Sequence, residues 1–168
     1  METFVKTLLR AGIAATGLLG FAFAFIHPPG RIRDQRSSEP LFGGAETTPE
    51  LIRVFERSCQ NCHSERTQWP WYSYLPPLSW LIENDVSVAR SHMDLSRWRD
   101  YTTDQQVEIL SKLGTEVRNH QMPLPRYLSL HPEARLADSE VRQLYEWAHR
   151  ERRRLTSPAE PQSRKPTD

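Results

Sequence analysis

Apolar residues recur at helical spacing in four stretches of this chain, and no stretch sustains the period-2 alternation of a half-buried strand. The first stretch spans Pro49–Ser58. Thr47 and Glu50 stand three apart as a capping box, Pro49 suits a first turn, and Leu51, Ile52, Val54 and Phe55 supply one apolar face. The second spans Leu78–Met93, with Leu78, Ile82, Val86, Ala89 and Met93 on one stripe. The third opens at Thr102 or Thr103, each with a glutamine three residues on, and turns Val107, Leu110, Leu113 and Val117 inward. The fourth starts near Asp138 and carries Val141, Leu144, Tyr145 and Ala148 along one face. The pattern predicts an all-α domain.

A different pattern precedes it. Ala11–Ile26 is apolar on every side, between Arg10 and His27. Such a helix is about 24 Å long, short of a hydrocarbon core of about 30 Å. With Thr7–Leu9 included and Arg10 reaching to the headgroups, it becomes just long enough to cross. Two readings of residues 1–26 stay open, an uncleaved membrane anchor and a cleaved signal peptide. Ala22-Phe23-Ala24 fits the small-x-small cleavage pattern, but the apolar run continues through it. Residues 27–45, with Pro28-Pro29-Gly30 and Gly43-Gly44, read as a linker; 46–155 as the domain; and 156–168 as a Pro- and Ser-rich disordered tail. The bases on either side of the apolar run (Lys6 and Arg10; Arg31, Arg33 and Arg36) do not decide its orientation.

Composition narrows the partners. The chain has 168 residues with 22 Lys+Arg against 21 Asp+Glu, a net charge of +1, which argues against nucleic acid because phosphate neutralisation needs a net basic surface. Only two cysteines are present, so a multi-bridge disulfide framework and a four-cysteine zinc site are both excluded.

Those cysteines carry the chemistry. Cys59-Gln60-Asn61-Cys62-His63 has the spacing for covalent c-type haem attachment. Two thiols three apart at a helix end can each add to a haem vinyl group, and the adjacent imidazole can then bind the iron. Three rivals are weaker. A thioredoxin-like motif needs a preceding strand, a zinc site needs a fourth ligand that nothing marks, and a lone disulfide closing so short a loop stabilises little.

At this point the chain resembles known proteins. A helix ending in CxxCH, a Pro-containing loop, the Met122-Pro123 pair and an amphipathic closing helix are similar to a class I cytochrome c. More narrowly, Asn61-Cys-His-Ser64, Trp69-Pro-Trp-Tyr72, Pro77-Leu-Ser-Trp80, Asp94-Leu-Ser-Arg-Trp98 and His131-Pro-Glu-Ala-Arg-Leu136 resemble the small bacterial cytochrome-c-like haem-binding domain family, over about residues 46–150. The resemblance implies a helical domain wrapped around one haem c, held through Cys59 and Cys62 with His63 as axial ligand. Met122 is the first choice for the sixth ligand, since the third helix ends near Asn119 and Pro123 stiffens the loop that follows. His120, His92 and Met93 are alternatives, as is a vacant site. The Pro76 or Pro77 carbonyl is expected to accept from His63 Nδ1. The segment Thr67–Trp80 is expected to cover one haem face, with Trp69, Trp71, Tyr72 and Trp80 donating to the propionates and Arg66 or Arg90 pairing with them. His131 is expected to cap or turn the chain, and His149 to lie on the surface. The function expected is one-electron transfer with a protein redox partner, outside the cytoplasmic membrane and tethered to it through the N-terminal helix, or soluble in the periplasm after cleavage. A haem-based ligand sensor with a labile sixth ligand is the alternative. His120 beside Met122 is the lone acid/base candidate near the haem, so no enzymatic activity is expected.

Overall fold

Capping residues set where the helices begin. In the computed structural model, which describes residues 2–25 and 40–157, the chain is helical, with no strand among the described residues. Helix α1 is Glu2–Phe25, α2 Pro49–Ser58, α3 Gln60–His63, α4 Leu78–His92, α5 Thr103–Arg118, α6 Pro125–Leu130 and α7 Asp138–Thr156, with 3-10 turns at Trp71–Tyr74, Leu95–Asp100 and Pro132–Ala134. The four predicted helices are α2, α4, α5 and α7. The box on α5 forms as expected: Thr102 accepts from Gln105 N, and the Gln105 side chain accepts from Thr102 N. On α2 the cap is one residue later than predicted. Thr48, not Thr47, accepts from Leu51 N, because Pro49 occupies the first helical position and fixes the register.

The core lies where α2, α5 and α7 meet. Leu51, Val54 and Phe55 of α2 pack with Leu110, Leu113 and Val117 of α5 and with Val141, Leu144, Trp147 and Ala148 of α7. Helices α5 and α7 cross at Gly114, where a Cβ would make ordinary contacts, 3.5 Å from the Tyr145 ring and 3.7 Å from Ala148 Cβ. The expected linker is partly core. Leu41 and Phe42 are buried, and Phe42 sits 4.6 Å from Phe55, 5.0 Å from Trp98 and 4.9 Å from Trp147, centroid to centroid. Its φ of 54° costs about 1 kcal/mol in an ordinary residue. Burial of the whole ring outweighs that, and a backbone bond from Phe42 N to Leu95 O at 3.1 Å fixes the turn. Proline and glycine content suggested a spacer here; tertiary packing claims residues 41–42 instead.

Helix α4 departs from its predicted stripe. Val86 and the capping Met93 are buried, but Leu78 is exposed, as are its neighbours Trp80, Leu81 and Val88. Helix α1 starts at Glu2, well before the predicted apolar run, and carries it to Phe25; its described side chains from residue 5 to 21 are exposed. Among the described residues no helix is long and apolar enough to cross a membrane. Ile26, positions 27–39 of the expected linker and 158–168 of the expected tail lie outside the described residues. Arg150 and Arg152–Arg154 belong to the last turns of α7, where cations complement the helix dipole.

Candidate functional site

The CxxCH segment is built by a break between two helices. Cys59 closes α2 by donating its N–H to Phe55 O at 2.9 Å, and its own carbonyl receives Cys62 N and His63 N to start α3. Asn61, between the thiols, is held on every side. Its carbonyl accepts from Thr67 Oγ1 at 2.7 Å, its Oδ1 from Gln68 N at 3.0 Å, and its Nδ2 donates to Tyr127 Oη at 3.0 Å. Ser64, fully buried, closes the turn by donating to Gln60 O at 2.8 Å. The thiols are free and stand in a fixed backbone frame.

Both thiols and the imidazole open onto one cavity of about 580 Å³, within the range of small-molecule sites. Its walls come from α2 and α3, the second half of α4, one face of α5 and the chain from Met122 to Tyr127. Met122 therefore faces the same space as Cys59, Cys62 and His63. So do Met93 and His92, whereas His120 is exposed at φ 54° and does not line it.

Electrostatics suit a neutral ligand set. Burial pushes the Cys59 thiol up to about 12. Burial, then Asp85, pushes Cys62 up to about 11. Burial also lowers the His63 imidazole, outweighing the nearby carbonyls of Met93 and Ala89, so the ring is held neutral as metal ligation requires. His63 Nδ1 lies 3.1 Å from Met93 O. A carbonyl only accepts, so Nδ1 carries the proton and Nε2 is the nitrogen left for iron. The expected acceptor, Pro76 or Pro77, is replaced by Met93, because Pro77 sits at the opposite end of α4, where the helix starts. The Met93–Asp94 peptide is itself pinned: Asp94 N donates to Tyr101 Oη at 2.9 Å, and Asp94 Oδ1 accepts from Ser96 N at 2.9 Å.

The aromatic segment falls elsewhere. Trp69, Trp71, Tyr72, Pro77 and Trp80 do not line the cavity; Trp71 is 75% exposed and Trp80 45%. Tyr72 Oη instead pairs with His131 Nε2 at 2.6 Å, and His131 Nδ1 meets Glu133 at 3.0 Å. His131 does join α6 to the following 3-10 turn, as expected, and its ring stacks on Tyr127 at 4.3 Å. Arg90 donates to Thr67, and neither it nor Arg66 reaches the cavity wall. The polar groups on the wall include Lys112, Glu116, Asn84 and the Asp85–Arg126 pair, joined at 2.7 and 3.1 Å. No spacing rule marks these residues; α4, α5 and α6 meet only in the folded chain.

The residues present fit a haem. Two thiols at CxxC spacing, an imidazole with one nitrogen already engaged, two thioethers and a largely apolar wall with cationic groups match an iron porphyrin with acidic side arms. Comparison with known proteins agrees. The chain matches the haem-binding domain family over residues 19–150. It is 26% identical over 149 residues to the cytochrome c peroxidase Ccp of Escherichia coli (strain K12), covering 83% of this chain and 32% of that protein. The chain thus spans about a third of that relative's length. No solved structure matches. With most of its length inside that family match, and with the two thiols and the imidazole of its motif on one cavity, the chain belongs to the haem-binding domain family.

Proposed function

We propose that this protein is a monohaem c-type cytochrome that passes single electrons to a protein partner outside the cytoplasmic membrane. The observation that carries the reading is the convergence of Cys59, Cys62, His63 and Met122 on one cavity. The bound haem supplies a reversible one-electron iron couple. The chain does the rest. Cys59 and Cys62 would hold the group as thioethers, His63, its ring aimed by the Met93 carbonyl, would bind the iron through Nε2, and Met122 offers a thioether from the loop after α5. Ligation by Met122 together with His63 would raise the potential relative to two histidines. Lys112 and Arg126, paired with Glu108 and Asp85, are the cations on the cavity wall that would be within reach of the propionates of a bound haem. Thioether-linked haem is matured outside the cytoplasm, and the N-terminal apolar run, read as a signal or an anchor, would deliver the domain there.

The electron-carrier reading rests on the thiols, the imidazole and the thioether sharing one cavity; His120, the acid/base candidate of the sequence, does not line it. A ligand-sensing role is the second reading, favoured by Met93 and His92 sharing the cavity with Met122, since exchange among them would open the iron. Met122→Ala decides the ligand. Loss of the long-wavelength sulfur-to-iron band and a potential lower by on the order of 0.1 V support Met122. An unchanged band and potential overturn it. Rapid carbon monoxide binding to the ferrous wild type at neutral pH would favour sensing over electron transfer.

A further inference from the structure

On the opposite face of α5 from the thiols, the crevice between α5 and α7 encloses about 270 Å³ that the haem reading does not use. Arg118 from the last turn of α5 and Arg152 and His149 from α7 line it, together with Ser111 and Tyr145. No carboxylate is among the lining residues. Arg118 Nη1 donates to Tyr145 Oη at 3.2 Å, and its guanidinium carbon lies 5.0 Å from the Tyr145 ring centroid. Tyr145 accepts there, so its own hydroxyl proton remains to be donated. His149, expected on the surface, is half-buried with its ring edge-on to Tyr145 at 4.6 Å.

Arg152 is the informative residue. Its Nε is buried with no hydrogen-bond partner. A buried, unpaired charged donor costs more than a neutral one, and such an orphan is rare in a folded protein. Two other cations of the same turns are paired, Arg150 with Glu146 and Arg154 with the buried Glu151. The helix dipole accounts for a cation at the end of α5, but not for a guanidinium nitrogen of α7 taken out of water without a partner.

We propose that this crevice binds a phosphate group. A tetrahedral dianion matches the planar donor forks of two arginines on one crevice and offsets the charge that Arg152 carries with its buried Nε unpaired, with the Tyr145 and Ser111 hydroxyls as further donors. The space is below the range of drug-sized sites, so it holds one phosphate group, free or carried by a small ester or lipid headgroup. None of its lining residues faces the haem cavity, so the site stands or falls independently of the haem assignment.

Titration calorimetry of the full chain with inorganic phosphate, at low and constant ionic strength, tests it. Saturable one-to-one binding is expected. Arg118→Gln and Arg152→Gln should each weaken it at least about tenfold, with helical circular dichroism unchanged. A second measurement needs no variant: phosphate should raise the thermal midpoint of the wild type relative to chloride at matched ionic strength. Cosedimentation with phosphatidylglycerol vesicles, reversed by free phosphate and lost in Arg152→Gln, would identify a lipid headgroup as the source; its absence alongside phosphate binding would identify free phosphate. Absence of saturable phosphate binding and of a midpoint rise, or an affinity unchanged in both variants, overturns the proposal.

Discussion

At the scale of single residues, His63 and Phe42 show how position rather than identity sets a role. Any histidine after a second cysteine can bind iron. This one is committed to Nε2 because a carbonyl at the end of another helix takes Nδ1–H, and Tyr101 and Ser96 hold that peptide in place. Phe42 is a lone aromatic beside two glycines in the sequence, yet it touches Phe55, Trp98 and Trp147 and is 1% exposed. Phe42→Ala should therefore cost about 3–5 kcal/mol, read as a lower urea midpoint with an unchanged slope. A loss within about 0.5 kcal/mol would show that residues 41–42 do not belong to the core.

Between elements, two contacts decide how α7 sits. Arg57 of α2 reaches Glu140 in the first turn of α7 at 2.8 Å, and Glu140 also accepts from Ala137 N at 2.9 Å. The Arg57 hydrogen bond is the main cause holding the Glu140 carboxyl below its ordinary 4.5. A carboxyl lowered by folding stabilises fully above its unfolded value and loses that contribution as pH falls through its folded value. The pair is partly exposed, so its worth is about 1 kcal/mol. Glu140→Gln should reduce stability by about that amount at pH 7 and show a shallower loss below about pH 4.5, the two curves converging in acid. Parallel curves across the whole range would contradict the assignment. Where α5 crosses α7, the contacts a Cβ at Gly114 would make are ordinary van der Waals distances. Gly114→Ala should then stabilise by about 0.5–1 kcal/mol through helix propensity, measured as a higher thermal midpoint.

For the molecule as a whole, the 580 Å³ cavity means that the protein core is incomplete without its ligand. An apolar ligand bound only by the folded state adds its binding energy to stability. The Cys59→Ser/Cys62→Ser double variant should lose haem staining after denaturing electrophoresis and melt about 10 °C or more below the wild type. Staining that survives both substitutions would refute attachment through these thiols. The same gel, run on membrane and soluble fractions, reads by mass and location whether the N-terminal helix is retained or cleaved.

The sequence alone determined what local chemistry controls. Helix starts follow from Thr102 with Gln105 and from Pro49. The haem motif is legible because both thiols and the imidazole lie within five residues of chain, and Met122-Pro123 stands out where a helix must end. What lay beyond reach depends on contacts distant in sequence. Whether Leu41 and Phe42 are linker or core is settled by Trp98 and Trp147, more than fifty residues away. Aromatic density made Thr67–Trp80 look like a haem cover, but aromatic residues fill space wherever they fall, and here they turn away from the cavity. The carbonyl that aims His63, and the Lys112, Asp85 and Arg126 that rim its cavity, come from helices whose meeting no spacing announces. Periodicity and capping act through neighbours along the chain, so sequence records them. A cavity is defined by what surrounds it, and only the tertiary structure brings those walls together.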